Sequence, residues 1–206
     1  QENTLTARDF DGLVSYLKAH PEVNEVILSG GDPLMADDQA LSGLFVRLES
    51  VSSIHRLRIH TRLPIVIPER VTDTLCQTIA ATTLPVVMVL HSNHANEIDQ
   101  SVMDAVSQLR AVCRSVLNQS VILKGINDSA DVLIALSERL FEAGIDPYYL
   151  NVLDRVSGAH HFDVSDLEVA ALHQALLNAL PGYLVPKLVR EVPGIGHKAQ
   201  WKGTTH

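Results

Sequence analysis

Apolar positions along the chain recur in two alternating rhythms. Phe10, Leu13, Val14 and Leu17 fall at helical spacing within residues 6–20, with Thr4 or Thr6 as candidate caps and Pro21 just past the end. Residues 25–28 then read as a short strand, 37–49 as a helix with Leu41, Leu44, Phe45 and Leu48 on one face, and 56–60 as a strand. The alternation continues with helix at 70–80, strand at 86–90, helix at 97–112, strand at 120–124, helix at 130–143, strand at 148–153 and helix at 166–179. A last apolar run covers 183–189. Strands alternating with amphipathic helices through short connections predict right-handed parallel β/α units.

Two architectures fit that pattern, a doubly wound sheet and a (β/α) barrel, and the polar residues favour the second. Ser29-Gly30-Gly31-Asp32, His60-Thr61-Arg62, His91-Ser92-Asn93-His94, Asp154-Arg155 and Glu191 each follow an apolar strand, while the helix-to-strand joints are bland. In a barrel all of these loops share one mouth. In a doubly wound sheet they would divide around a switch-point crevice. The expected fold is therefore α/β, a partial TIM-like (β/α) barrel, in one domain over residues 1–206. No repeat, low-complexity segment or linker divides the chain.

Three segments carry candidate chemistry. In SGGDPL, two glycines permit close approach of a ligand to the strand end and Asp32 can accept from an ammonium group; a tight turn with Asp32 as a cap reads equally well. In HSNHANE, His91, His94 and Glu97 stand at three-residue steps that would suit a metal on a helix, although Asn93 and Asn96 suit loop or cap positions. In EVPGIGHK, Lys198 ends a glycine-containing loop that could carry a Schiff-base lysine or a merely solvated one. Asp154 and Glu191 could together receive a substrate ammonium.

Composition narrows the chemistry. The net charge of -8 and the lack of a Lys/Arg-rich block argue against a nucleic-acid or acidic-membrane footprint, and favour a small-molecule substrate. Cys76 and Cys113, without metal spacing, suit a reducing, cytoplasmic setting. Neither an 18-residue apolar span nor a basic-then-apolar leader occurs.

Taken in series, SGGDPLM, HTRLPIVIPERVT, HSNHANEI, LNQSVILKGINDS, PYYLNVLDRVSGAHHF and VREVPGIGHK resemble the lysine 2,3-aminomutase family of radical S-adenosylmethionine enzymes, in order and approximate spacing, over nearly all of residues 13–198. The resemblance implies S-adenosylmethionine, pyridoxal 5′-phosphate and a 4Fe–4S cluster as cofactors, and L-lysine as the substrate. It places Gly30, Gly31 and Asp32 against the amino group of S-adenosylmethionine, with His91 and Gln119 as further contacts. Lys198 matches the lysine that holds pyridoxal phosphate, and Asp154 and Glu191 match the acids that receive the distant ammonium of the substrate. Glu191 is a departure, since the family pattern has Asp there; the extra methylene would alter which lysine isomer or derivative fits. The implied reaction moves the α-amino group of L-lysine to its β carbon. VPKLVREVPG resembles the bacterial branch whose β-lysine modifies elongation factor P.

One element of the pattern is missing. Family members hold the cluster through CxxxCxxC ahead of SGGD, and two distant cysteines cannot replace three neighbouring thiolates. Gln1 is therefore expected to be a cut, with the first strand, the cysteine loop and the residues for the substrate carboxylate upstream, so that this chain alone would be inactive as a mutase. An unpaired sheet edge would favour a homo-oligomer. Two other readings stand beside this one: a non-catalytic remnant that binds pyridoxal phosphate or a nucleoside, and a metal-dependent barrel hydrolase using His91, His94 and Glu97.

Overall fold

Helices begin where the sequence supplies short polar side chains that can hold the free amides of a first turn. Thr72 Oγ1 accepts from the Leu75 amide at 3.1 Å, Asp99 Oδ1 from Val102 at 3.0 Å and Ser129 Oγ from Val132 at 3.4 Å. Ser165 and Glu168 form a reciprocal capping box. The computed structural model describes residues 7–153, 160–191 and 199–200. Within them run α1 (Ala7–Ala19), β1 (Glu25–Leu28), α2 (Asp38–Glu49), β2 (Arg56–Thr61), the short α3 (Leu63–Val66), α4 (Asp73–Ala81) and β3 (Val86–His91). Then follow α5 (Gln100–Val112), β4 (Ser115–Val121), α6 (Ala130–Glu142), β5 (Asp146–Asn151), α7 (Asp166–Ala179), β6 (Lys187–Arg190) and β7 (Ala199–Gln200). Thr4 and Thr6, the candidate caps of α1, lie outside the described residues.

The strands form one sheet in chain order; β1 to β6 are parallel, and β7 runs antiparallel beside β6. The six parallel strands make a half-barrel with helices outside, as the placement of polar residues predicted. Alternate residues of each strand point outward. On β1 to β4 these are Val26, Leu28, Leu57, Ile59, Val86, Met88, Leu90 and Val116, which pack with leucines of α1, α2, α4 and α5. Around β5 and β6, Leu150 and Leu188 join Leu133 of α6 and Val169, Leu172 and Leu176 of α7. Burying such side chains away from water is what holds the layers together, at about 1.5–3 kcal/mol each.

Several boundaries differ from the expectation, each for a local reason. The fourth strand is Ser115–Val121, not 120–124, because its outward positions are Val116, Asn118 and Ser120, all buried. Two polar residues on the helix-facing side hide the strand from a hydropathy reading. α5 starts at Gln100 rather than at Glu97, since the Glu97 carboxylate turns back to the Asn93 and His94 amides at 2.7 and 2.9 Å. The closing run splits into a 3₁₀ turn, Gly182–Leu184, and β6, separated by Pro186. Among the described residues, no helix is long and apolar enough to cross a membrane.

Cys76 on α4 and Cys113 at the end of α5 are free thiols packed against the outer core. Burial raises both, and pushes Cys113 up to about 12. Thiolate is the alkylating form. Iodoacetamide at pH 8 is expected to label both at least about tenfold more slowly than a free cysteine, with full labelling only in denaturant; rapid labelling of the native chain would contradict this packing.

Candidate functional site

The inward faces of the strands carry a different chemistry from the outward ones. A parallel strand covered on both faces reads as continuously apolar, yet β2 alternates Leu57 and Ile59 in the core with half-buried Arg58 and His60 on the concave side. This alternation was the sequence signal for an inward Arg58, which no motif singled out, beside His60, which opens the motif HTRLPIVIPERVT. Arg58 pairs with Glu25 of β1 at 3.0 Å. Nearer the strand ends, the register sets His91 opposite Gln119, Gln119 opposite Tyr149, and Tyr149 opposite Lys187. Two residues read from the sequence as ligand contacts, 28 positions apart by their numbers, thus become direct cross-strand neighbours.

Gln119 is incompletely satisfied. Its Oε1 is buried and has no hydrogen-bond partner among the described residues. Beside it, the Tyr148 hydroxyl donates to that of Tyr149 at 2.9 Å, with the rings 3.7 Å apart. Burial, followed by the hydrogen bond to Tyr149, pushes Tyr148 up to about 12, so its phenol stays neutral at ordinary pH. Lys187 Nζ lies 5.9 Å from the Tyr148 ring centre.

The loops beyond the strand ends are tied to one another by polar side chains. After β1, Gly31 adopts φ 63°, which favours glycine, whereas Gly30 has no such need. A Cβ at either glycine would meet nothing within 4 Å. Asp32 caps the following 3₁₀ turn through Leu34 N–H, and also accepts from Thr61 Oγ1 and from the Arg62 and Leu63 amides. The Arg62 guanidinium reaches Glu97 at 3.1 Å. Asn93 Oδ1 accepts from Val121 N–H at 2.8 Å, and Asn127 Nδ2 donates to Asn93 O at 2.9 Å. Under this belt, Asn118 embraces Ser92, accepting from its amide at 2.9 Å and donating to its carbonyl at 3.0 Å, while Ser120 Oγ donates to the same carbonyl.

This arrangement corrects the metal reading. His94 and Glu97 form a capping box, with His94 Nδ1 accepting from the Asn96 amide at 3.1 Å. Glu97 is further held by Arg62. Among the described residues, no group of three or more His, Cys, Asp or Glu could hold a metal ion. Sequence spacing suggested ligands because a capping box places its two side chains at the same three-residue step, and here His94 takes the place usually held by Ser or Thr. Of the remaining candidates, Glu191 directly follows β6 and is exposed. Asp154 and Lys198 lie outside the described residues.

The Ser92 embrace yields a graded prediction. Asn118→Leu strands the buried Ser92 amide and should lower stability by about 2 kcal/mol in urea unfolding. Ser120→Ala leaves the Ser92 carbonyl its bond from Asn118 and should cost under about 1 kcal/mol.

No family model matches the chain. It is 51% identical over 197 residues to the L-lysine 2,3-aminomutase of Haemophilus influenzae, a match covering 96% of this chain and 58% of that protein. The L-lysine 2,3-aminomutase of Escherichia coli is 51% identical over 193 residues, covering 94% and 56%. That of Clostridium subterminale is 31% identical over 197 residues, covering 96% and 47%. The chain thus spans roughly half the length of the curated relatives it matches. In fold it is similar to the solved structure of Streptococcus suis SuiB bound to S-adenosylmethionine, with a TM-score of 0.62 at 15% identity, over 89% of this chain and 43% of that one. Half of the aligned residues are identical to those of two L-lysine 2,3-aminomutases along nearly the whole of this chain, so it is closely similar to the lysine 2,3-aminomutases over a little more than half of their length.

Proposed function

We propose that this half-barrel serves the conversion of L-α-lysine to β-lysine, binding S-adenosylmethionine at the mouth of β1 to β4 and pyridoxal phosphate through Lys198. The observation that carries the reading is Gln119. A buried acceptor left open is unfavourable in the free protein, and this one faces the concave side beside His91. Such a pair suits the hydroxyl-rich nucleoside end of S-adenosylmethionine. At the end of β1, with β2 between it and β3, Gly30 and Gly31 leave open space over the backbone for the methionyl end. When bound, S-adenosylmethionine and pyridoxal phosphate supply the radical and electron-sink chemistry of a 1,2-amino shift.

The chain's own part is binding, orientation and exclusion of water. His91 and Gln119 would fix the nucleoside across two adjacent strands. Asp154 and Glu191, each just after a strand, would receive the distant ammonium of the substrate, a charge-assisted contact that holds the lysine by its far end. Lys198, the last residue of the motif EVPGIGHK, would anchor the pyridoxal. The bacterial branch resembled by VPKLVREVPG points to elongation factor P as the destination of the product.

The 4Fe–4S cluster is different. It needs neighbouring thiolates, and Cys76 and Cys113 are raised-pKa thiols packed in the outer core. These two residues do not fit the group.

Two measurements test the reading. Gln119→Met removes the stranded acceptor; it should stabilise the protein by about 1 kcal/mol in urea unfolding and weaken S-adenosylmethionine binding at least about tenfold. Unchanged affinity would exclude Gln119 from the site. Pyridoxal phosphate added to the complete gene product should give a Schiff-base absorbance, and borohydride should fix the label on Lys198. A label on any other lysine would refute that assignment.

A further inference from the structure

The resemblance sets Asp32 against the amino group of S-adenosylmethionine, but the carboxylate is already full. An ionised carboxylate offers about four acceptor directions on its two oxygens. Oδ1 accepts from Leu34 N–H at 3.0 Å and Thr61 Oγ1–H at 2.6 Å. Oδ2 accepts from Arg62 N–H at 2.7 Å and Leu63 N–H at 3.2 Å. Three of these donors belong to the end of β2 and the turn that follows it. An arriving ammonium would have to displace one of them; Leu34 N–H, Thr61 Oγ1–H or Arg62 N–H would then lose its acceptor, and only Leu63 N–H, which also donates to Thr61 Oγ1 at 3.1 Å, has a second one.

We infer that Asp32 is a positioning residue: its carboxylate fastens the loop after β1 to the turn after β2, and the ligand's ammonium falls to the glycine backbone beside it. This rests on the reading that S-adenosylmethionine binds at this strand end. Gly30 and Gly31 are exposed, and neither would crowd a ligand even with a Cβ. Asp32 is only part-exposed and faces the chain. The fastening continues from the same turn, since Arg62 goes on to hold Glu97, which holds the amides of Asn93 and His94 in the loop that follows His91. Displacing Asp32 would therefore loosen more than its own loop.

Two explanations of a weakened Asp32 variant differ in what they do to a ligand without an ammonium. Equilibrium binding to the complete gene product would be measured for S-adenosylmethionine and for its analogue with hydrogen in place of the α-amino group. If Asp32 positions the loop, Asp32→Asn, which sets an amide N–H₂ against donors, weakens both ligands by the same factor of about tenfold, with the ratio of the two constants held within about twofold. Thr61→Val deletes one donor to Oδ1 while leaving the carboxylate charged, and should weaken both ligands equally by a smaller factor. A loss confined to S-adenosylmethionine makes Asp32 the ligand of the ammonium and overturns the proposal, as does wild-type binding of both ligands by Asp32→Asn. Should Asp32→Asn not fold, Thr61→Val decides: equal weakening supports positioning, and unchanged or selective binding overturns it. Failure of the wild-type protein to bind S-adenosylmethionine would instead remove the reading of the site, and this proposal with it.

Discussion

At the carboxyl end of a parallel strand the chain must leave regular pairing while still half-buried, so every amide it frees needs another acceptor. In this protein the acceptors are side chains of the same or the neighbouring loop. Asp32 takes amides from the turn after β2, Glu97 takes those of Asn93 and His94, and Asn93 takes that of Val121. Arg62 joins the first pair of loops to the next by its bond to Glu97. The mouth of the half-barrel is thus held by a belt of bonds running from one strand end to the next. The open positions of the site, Gly30, Gly31 and Gln119, lie within or beside it.

Such a belt separates two tasks that the same residue types could perform. Side chains that fasten loops have their hydrogen-bonding capacity filled by the chain, as Asp32 and Glu97 do. Side chains available to a ligand keep capacity in reserve, as the Gln119 acceptor does. Preorganised groups of this second kind are useful because they need little rearrangement when a ligand arrives. The same distinction argues against a metal at His94 and Glu97, since His94 Nδ1 and Glu97 Oε1 hold backbone amides and Glu97 Oε2 is paired with Arg62.

Much of the architecture was legible in the sequence. Helices and strands alternate where the apolar spacing says they do, and polar clusters after the strands pointed to one mouth. β4 was the misplaced strand, because Asn118 and Ser120 occupy outward positions where an apolar residue is the rule. Their burial is tolerated only through bonds to Ser92, 26 and 28 residues away, and no local pattern reports such a partner. His60 was named from its motif, and the inward Arg58 was within reach of a closer reading, since alternation of polar and apolar residues in a parallel strand marks a face that is not packed by helices.

The sequence by itself determined the order of β/α units, the family resemblance, and the residue types available at each strand end, because those depend on local periodicity and on motifs read in series. The tertiary structure decided which of these residues meet. His91 and Gln119 became neighbours through strand register, and Asp32 and Glu97 became fasteners through loops that lie far apart in sequence. A hydrogen-bonding side chain of a given type reads the same in sequence whether its partner is a ligand or its own backbone, and only the folded chain shows which of its lone pairs remain open.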